Sequence, residues 1–248
     1  MFAQSLIRGL RAVASVALVS IGLAGCATLD GGVQQVGLVR HDQATIARYG
    51  ARPDERFPLP ATDISKVEDR WLRQQVAFHG YEAPGTIVVD TQARYLYLVQ
   101  EGGTAMRYGI GVGKEGLAFE GQARVGRKAE WPRWTPTQDM IARDPERYGN
   151  YAGGLDGGLT NPLGPRALYL YQGDRDTLFR IHGTTEPWSI GKAVSSGCIR
   201  LLNQDIIDLY NRVPVDTQVV VIQDDDAPAV AGAPDRDRDF RERAYDDA

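Results

Sequence analysis

The spacing of glycine and proline is the strongest constraint on how this chain can fold. The 248 residues include 28 glycines and 13 prolines, and both residue types interrupt regular secondary structure. This frequency disfavours a helical bundle and favours many short strands joined by turns. Because 43% of the residues are hydrophobic and 24% are charged, the chain can bury a core, which excludes global disorder.

The charge balance and the cysteine count exclude several classes of function. The chain has 28 lysines and arginines against 32 aspartates and glutamates, a formal net charge of −4. A nucleic-acid-binding protein needs a basic surface, so we expect no nucleic-acid partner. Two cysteines are too few for a disulfide scaffold or a multi-cysteine zinc site.

The first 25 residues have the pattern of an export signal. Arg8 and Arg11 precede an apolar run at 12–23, which is too short to span a bilayer comfortably. The run ends in Leu23-Ala24-Gly25-Cys26, which resembles the lipobox of bacterial lipoproteins and implies lipidation of Cys26. The alternatives are an ordinary cleaved signal and an uncleaved membrane stub. No second apolar stretch is long enough to cross a membrane.

The remaining chain divides into three parts by composition. Residues 26–84 are expected to be a tether with a partly ordered N-terminal segment, including a short helix near 43–49 and an amphipathic element at 71–78 on a domain edge. Residues 85–223 are the expected folded domain. Residues 224–248 are rich in acids and arginines with little apolar content, which predicts a disordered charged tail.

Hydrophobic patterning predicts a mainly β domain with one clear helix and long loops. Asn203 is the expected N-cap of the helix, and the stretch 113–164 is expected to consist of loops. Within it, the segment 131–136 forms either a lid or substrate wall that includes Trp134, or a satellite packing cluster. The predicted strands lie at 86–90, 94–100, 105–112, 167–171, 177–181 and 218–222.

One cysteine and one histidine are candidates for chemistry. His182 ends a predicted strand and Cys198 follows it by 16 residues. A cysteine nucleophile needs a base within hydrogen-bond reach, because a free thiol titrates near ~8.5. His41 and His79 lie outside 85–223, which leaves His182 as the candidate base. From the residues alone, His182 can equally be a satisfied core histidine, and Cys198 a small buried hydrophobe.

The stretch around these two residues resembles the signature of the L,D-transpeptidase catalytic domain, the YkuD family. In that family a histidine and glycine are followed, after a loop of similar length, by serine, a polar residue, glycine-cysteine, an aliphatic residue, and arginine or asparagine. Many members have histidine where Ser196 stands here, which leaves His182 as the single base near the thiol. The matching residues are His182, Gly183, Ser195, Gly197, Cys198, Ile199 and Arg200.

The resemblance implies a β-sandwich-like fold and a two-step acyl transfer on peptidoglycan stem peptides, which needs no metal or organic cofactor. Cys198, activated by His182, would attack residue three of a tetrapeptide stem and release D-alanine. A diamino-acid amine would then resolve the thioester into a 3→3 cross-link. The carbonyl of Gly183 would orient the imidazole, and the N–H groups of Gly197 and Cys198 would form an oxyanion hole.

We expect Arg200, Ser195, Ser196 and Trp134 to bind the substrate. Arg200 would bind a stem carboxylate, or alternatively would brace the catalytic loop. Water as the acceptor would make the protein an L,D-carboxypeptidase or amidase, and an outer-membrane protein is another possible acceptor. A papain-like peptidase usually places its cysteine before its histidine, which is the reverse of the order here.

A non-enzymatic, peptidoglycan-binding lipoprotein is the second class of function, and it predicts an inert, buried Cys198. For either class, lipid at Cys26 would anchor the chain to a membrane facing the periplasm. Ala27 rather than aspartate follows Cys26, which by the sorting rule for such lipoproteins favours the outer membrane.

Overall fold

The computed structural model describes residues 41–113, 121–195 and 197–222. The expectations for residues 1–25, Cys26, Ser196 and 224–248 therefore lie outside the described residues. None of the helices within the described ranges has both the length and the apolar content to cross a bilayer. The helices are α1 (Gln43–Arg48), α2 (Gln138–Arg143), α3 (Pro145–Tyr148) and α4 (Asn203–Arg212), with 3-10 turns at Ile64–Lys66, Asp69–Trp71, Gly149–Tyr151 and Pro187–Ser189.

Eleven described strands form one large sheet and one small one. The large sheet has nine strands in the order β1-β4-β3-β2-β11-β6-β7-β8-β10, and β5 pairs with β9 in the small sheet. The expected mainly β fold is thus confirmed, as are the strands predicted near 86–90, 94–100, 167–171, 177–181 and 218–222. The strands are β1 (Gln74–Ala77), β2 (Ile87–Asp90), β3 (Tyr95–Gln100), β4 (Thr104–Gly109), β5 (Val112–Gly113), β6 (Gly121–Glu130), β7 (Arg166–Gln172), β8 (Arg175–His182), β9 (Ala193–Ser195), β10 (Ile199–Arg200) and β11 (Gln218–Ile222).

Strand β3 shows why the sheet is buried on both faces. Successive side chains of a strand point to opposite faces. Leu96 and Leu98 enter the main hydrophobic core, which also takes residues from β2, β4, β6, β7, β8, β10, β11 and α4. Tyr95 and Tyr97 belong to a second cluster on the other face. A strand with apolar residues on both faces needs a cover on each side, and the second cover comes from upstream sequence.

The second cover is the N-terminal segment, which we define as residues 41–78. Trp71 and Phe78 of this segment pack with Tyr95 and Tyr97, at ring-centroid distances of 5.0 and 5.7 Å. The predicted short helix is present as α1, capped by the Asp42 side chain. Strand β1 pairs antiparallel with β4. The sheet therefore begins upstream of residue 85, because the outer face of β3 and β4 requires this segment to be complete.

Buried polar contacts also attach the N-terminal segment to helix α4. The Tyr49 hydroxyl contacts Asp205 Oδ2 at 3.1 Å and accepts from the Arg73 backbone N–H at 2.6 Å. Arg73 Nη1 lies 2.7 Å from Asp208 Oδ2, and Arg73 Nε lies 3.8 Å from Asp205 Oδ1. The Tyr108 hydroxyl donates to Asp208 at 2.7 Å. We call Tyr49, Arg73, Tyr108, Asp205 and Asp208 the docking cluster.

The stretch expected to be loops contains a ten-residue strand, so that expectation was wrong in this part. Strand β6 has only Ala123 and Val125 fully buried, and its other residues are mostly polar or glycine. It lies between β7 and β11 and pairs with both. The strand is stabilised by backbone pairing on two sides and by Arg127, which stacks 3.5 Å from the Tyr169 ring centroid. It lacks the hydrophobic alternation by which a strand is predicted from sequence.

The predicted N-cap of the helix was also wrong by one residue. Helix α4 begins at Asn203 with Leu202 as its N-cap, and no side chain caps it. Asn203 Oδ1 accepts instead from the backbone N–H of Thr184 at 2.9 Å. The asparagine therefore accepts a hydrogen bond from a backbone N–H in the loop after His182 rather than from one in its own helix. The sequence does not distinguish these two arrangements.

Candidate active site

Two neighbouring parallel strands bring the candidate nucleophile and base to one edge of the sheet. Strand β10 pairs with β8 so that Ile199 faces Ile181 and Arg200 faces His182. Ile181 and Ile199 point into the main core, so His182 and Arg200 occupy the opposite face. Cys198 precedes β10 by one residue, and the charges of Arg180 and Arg200 act on both His182 and Cys198. The two groups thus share one electrostatic environment.

The imidazole of His182 is fixed by a backbone carbonyl. Its Nδ1 lies 2.6 Å from the carbonyl oxygen of Gly183. A carbonyl oxygen only accepts, so Nδ1 carries the proton and Nε2 keeps its lone pair. Burial, reinforced by the charges of Arg200 and Arg180, lowers the pKa of His182 to about 3. The ring is therefore neutral near pH 7 and is available as a base.

Gly183 is a position where only glycine fits. A Cβ atom there would lie inside van der Waals contact of Asn203 Oδ1 and of Pro165 Cδ. The Gly183 N–H donates to the Arg166 carbonyl at 3.3 Å. Because the backbone of Gly183 is held from several sides, its carbonyl stays in one orientation toward the His182 ring.

Cys198 differs from the buried His182 in its exposure and in the direction of its pKa shift. Cys198 is partly exposed, and it follows Gly197, whose φ of +121° lies in a region that favours glycine. Burial raises the pKa of the Cys198 thiol, although a hydrogen bond with the Arg180 backbone and the charges of Arg180 and Arg200 act in the opposite direction. The raised pKa favours the neutral thiol, so a nucleophilic role for Cys198 would require a base to take its proton.

Arg200 already has a partner in the described structure. Its Nη1 donates to Glu186 Oε2 at 2.7 Å, and Arg147 Nη2 lies 3.9 Å from the other oxygen of Glu186. This ion pair ties β10 to the loop that follows His182. It favours the bracing alternative for Arg200, and binding of a stem carboxylate stays a prediction.

The other suggested substrate-binding residues lie in two places. Ser195 ends β9, where its partner in the small sheet is Gly113, and Ser196 lies outside the described residues. Trp134 is half-buried, with the rings of Tyr148 and Tyr151 at 6.2 and 5.8 Å. Nothing in these contacts assigns a substrate to Trp134.

The structure decides between the two alternatives for Trp131, a lid or substrate wall and a packing cluster. It is buried in a small cluster with Leu59 and Ile207, and the Phe57 ring packs against it at 5.0 Å. Trp131 therefore belongs to a satellite packing cluster.

Sequence reasoning missed two charged residues at the site. Arg180 lies two residues before His182 on β8, so strand alternation was a signal for it; its guanidinium binds both oxygens of Asp176, at 2.7 and 2.8 Å. Glu186, the partner of Arg200, lies in the loop four residues after His182, and no spacing pattern identifies it.

A cavity of about 240 Å³ lies beside the loop that follows His182. Thr184, Thr185 and Pro187 form one side of it, and residues 59–63 of the N-terminal segment form another. The N-terminal segment thus forms part of the surface near the loop that follows His182. Within the described ranges, no three histidine, cysteine, aspartate or glutamate side chains cluster as metal ligands would.

Comparison with known proteins assigns the chain to a family. The model of the YkuD family, the L,D-transpeptidase catalytic domain, matches residues 84–221. The chain belongs to this family. The Escherichia coli K12 protein named Probable L,D-transpeptidase ErfK/SrfK is 34% identical over 153 residues, which cover 61% of this chain and 48% of that protein. Probable L,D-transpeptidase YbiS of the same strain is 33% identical over 62% of this chain and 49% of its own length. The chain thus spans about half the length of these relatives.

Solved structures with a similar sequence or chain course also exist. The crystal structure of a Probable carnitine operon oxidoreductase from Brucella melitensis is 53% identical, covering 64% of this chain and 99% of that chain, with a TM-score of 0.45. An L,D-transpeptidase from Mycobacterium smegmatis is 22% identical over 55% of this chain and 58% of that chain, with a TM-score of 0.39. The family assignment rests on the domain match.

Proposed function

We propose that the chain is a peptidoglycan L,D-transpeptidase that uses Cys198 as nucleophile and His182 as base. One observation carries the proposal: the Gly183 carbonyl holds Nδ1–H of His182 at 2.6 Å, which leaves Nε2 free to accept a proton at the sheet edge that carries Cys198. Cys198 is partly exposed and directly precedes β10, the strand that pairs with β8 next to His182. Membership of the YkuD family supports the same reading.

In the first step, the Cys198 sulfur attacks the carbonyl carbon of residue three in a tetrapeptide stem. The thiol proton passes to His182 Nε2, and the N–H groups of Gly197 and Cys198 stabilise the oxyanion. The peptide bond to the terminal D-alanine then breaks, and the leaving amine takes the proton from His182. The product is a thioester on Cys198 and free D-alanine.

In the second step, the side-chain amine of a diamino acid on another stem attacks the thioester. His182 Nε2 accepts the amine proton and returns it to the departing sulfur. The new amide is a 3→3 cross-link, and the enzyme regains its thiol. The same thioester is open to an amine of an envelope protein or to water, and water would give L,D-carboxypeptidase activity.

The test uses the full-length chain with disaccharide-tetrapeptides, followed by mass spectrometry of protein and products. A thioester adduct on Cys198 and a dimer lacking one D-alanine are the expected results. Free tripeptide as the main product would instead assign hydrolysis. No adduct in the wild type, together with a thiol that resists alkylation, would contradict the proposal and favour a non-enzymatic lipoprotein.

We also propose that the chain is a periplasmic lipoprotein anchored through Cys26, in the outer membrane. The resemblance of residues 23–26 to a lipobox and the alanine at position 27 support this location. Metabolic labelling with an alkyne fatty acid should tag the wild type and not Cys26→Ala, and membrane separation should place the tagged protein in the outer-membrane fraction. An untagged wild-type chain would rule out the anchor.

A further inference from the structure

A buried ion pair joins the N-terminal segment to the strand beside His182. Glu55 receives two parallel hydrogen bonds from Arg166, with Nη1 to Oε2 at 2.8 Å and Nη2 to Oε1 at 2.7 Å. The side chains are only 10% and 8% exposed, respectively. Trp131 Nε1 adds a third bond to Glu55 Oε2 at 3.0 Å. Glu55 lies upstream of the region 84–221 that matches the family.

Arg166 connects this pair to the catalytic histidine through its backbone. It is the first residue of β7, and the next residue, Ala167, faces His182 on β8. The Arg166 carbonyl accepts from the Gly183 N–H at 3.3 Å, and the Gly183 carbonyl binds Nδ1 of His182 at 2.6 Å. Three contacts thus lead from the Glu55 carboxylate to the imidazole ring.

We propose that Glu55 is a positioning residue for His182, acting through Arg166 and Gly183. The proposal rests on the proposed function, because it assigns Glu55 to the machinery that keeps Nε2 of the base available. The bidentate pair fixes the plane of the guanidinium and with it the start of β7. The Arg166 carbonyl then holds the Gly183 peptide, whose own carbonyl selects the Nδ1–H tautomer of His182.

The position of Glu55 makes the N-terminal segment part of the catalytic unit. Removing the carboxylate leaves the buried Arg166 guanidinium without its main partner, with the Pro165 carbonyl 2.9 Å from Nη1. The ring of Tyr210 lies 5.3 Å from the Arg166 guanidinium carbon, and Glu130 approaches Arg166 only at 3.9 Å. Arg166 would then shift toward solvent or Glu130, and the start of β7 would move with it.

The experiment compares Glu55→Gln and Glu55→Ala with Tyr49→Phe in the full-length chain. Glutamine keeps the shape and one acceptor, so it remains informative if the alanine variant does not fold. Tyr49→Phe loosens the same segment at the docking cluster without touching Arg166. The readouts are the His182 tautomer by ¹⁵N NMR, assigned among the three histidines with His182→Gln, and the alkylation rate of Cys198 by peptide mass.

The expected result is a partial loss of the Nδ1–H tautomer in Glu55→Gln and a larger loss in Glu55→Ala. Alkylation of Cys198 and kcat should fall about tenfold with KM nearly unchanged, the low end of the effect of removing a group that supports a catalytic residue. Tyr49→Phe should match the wild type in tautomer and alkylation rate.

Two outcomes would overturn the proposal. In one, the Glu55 variants keep the wild-type tautomer and alkylation rate; in the other, Tyr49→Phe loses both as much as they do, which would mean general loosening. The NMR and alkylation readouts need no peptidoglycan. A Glu55 effect on both in a protein that forms no thioester with tetrapeptide would therefore support the positioning role while rejecting the proposed function.

Discussion

The docking cluster and the proposed catalytic pair, His182 and Cys198, are two polar sites that differ in how completely their groups are partnered. In the docking cluster, Arg73 lies between Asp205 and Asp208, and the hydroxyls of Tyr49 and Tyr108 bind the two carboxylates. In the catalytic pair, His182 has one ring nitrogen bound to a carbonyl, and its neighbour Cys198 is partly exposed. In the docking cluster the polar groups bind one another, whereas His182 keeps the lone pair of Nε2, which the proposed mechanism uses as the base.

The pKa values show that burial has the same effect at both sites but different consequences. Burial raises the pKa of Asp205 to about 7, although Arg73 opposes the shift, and burial lowers the pKa of His182 to about 3. In both cases the low-dielectric surroundings disfavour the charged form. For an acid in a structural cluster the consequence is a weakened charge. For a base in a reactive pair it is a ring that stays neutral and able to accept a proton.

The largest expected effect is on the reactive pair. Cys198→Ser should lower the rate of thioester formation by at least ~10⁴-fold, because loss of a catalytic nucleophile removes the covalent pathway. Intact-protein mass spectrometry after incubation with tetrapeptide measures the adduct. The melting temperature should stay close to that of the wild type, and an adduct at a normal rate on another residue would contradict the assignment of Cys198.

His182→Gln should lower the same rate by ~10² to 10⁴-fold, the range of general base catalysis. Glutamine keeps a polar group next to the Gly183 carbonyl but provides no base. Thiol alkylation at fixed pH should fall in parallel with acylation. If alkylation falls while acylation persists, the base in the reaction is a different group.

Arg73→Met should break the docking cluster and leave the catalytic pair intact. It leaves the buried carboxylate of Asp205 without its arginine, whereas Asp208 keeps Arg212. The free energy of unfolding should fall by roughly 3 to 5 kcal/mol in a urea titration. Arg212→Met is the matched control, because Arg212 binds the same Asp208 from a half-exposed position and should cost less than ~1 kcal/mol. The folded Arg73→Met protein should alkylate Cys198 at the wild-type rate; a tenfold loss would show that the two sites are coupled.

The smallest effect is the pH dependence of acylation. A base with its ordinary pKa near 6.5 would become protonated as the pH falls, and the rate would drop about tenfold at pH 5.5. Because the pKa of His182 is about 3, protonation begins only far below this range. The acylation rate should therefore change less than about twofold between pH 7 and pH 5.5 on account of this group. An acid limb near pH 6.5 that persists in variants of His41 and His79 would contradict the buried, neutral imidazole.

The sequence predicted the fold class, and it identified His182 and Cys198 as candidates for chemistry, because these signals are local. Apolar and aromatic runs mark β2 and β3, and the residue types around His182 and Cys198 resemble the signature of the YkuD family. Strand β6 carried no such signal, because its side chains show no hydrophobic alternation. It is held in the sheet by backbone pairing with its neighbours β7 and β11. The interaction of Asn203 with Thr184 was equally invisible, because both asparagine arrangements satisfy a backbone donor and only the packing chooses between them.

The sequence by itself determined which residues are candidates for the proposed chemistry, because a nucleophile, a base and a glycine-dependent turn require particular side chains. The tertiary structure alone decided where the polar groups of residues 41–78 go. Glu55 meets Arg166 across 111 residues of chain, and Tyr49 meets Asp205 across 156. Contacts over such separations depend on how the N-terminal segment packs on the sheet. Any buried arginine could pair with a glutamate, and packing decides which arginine lies within reach.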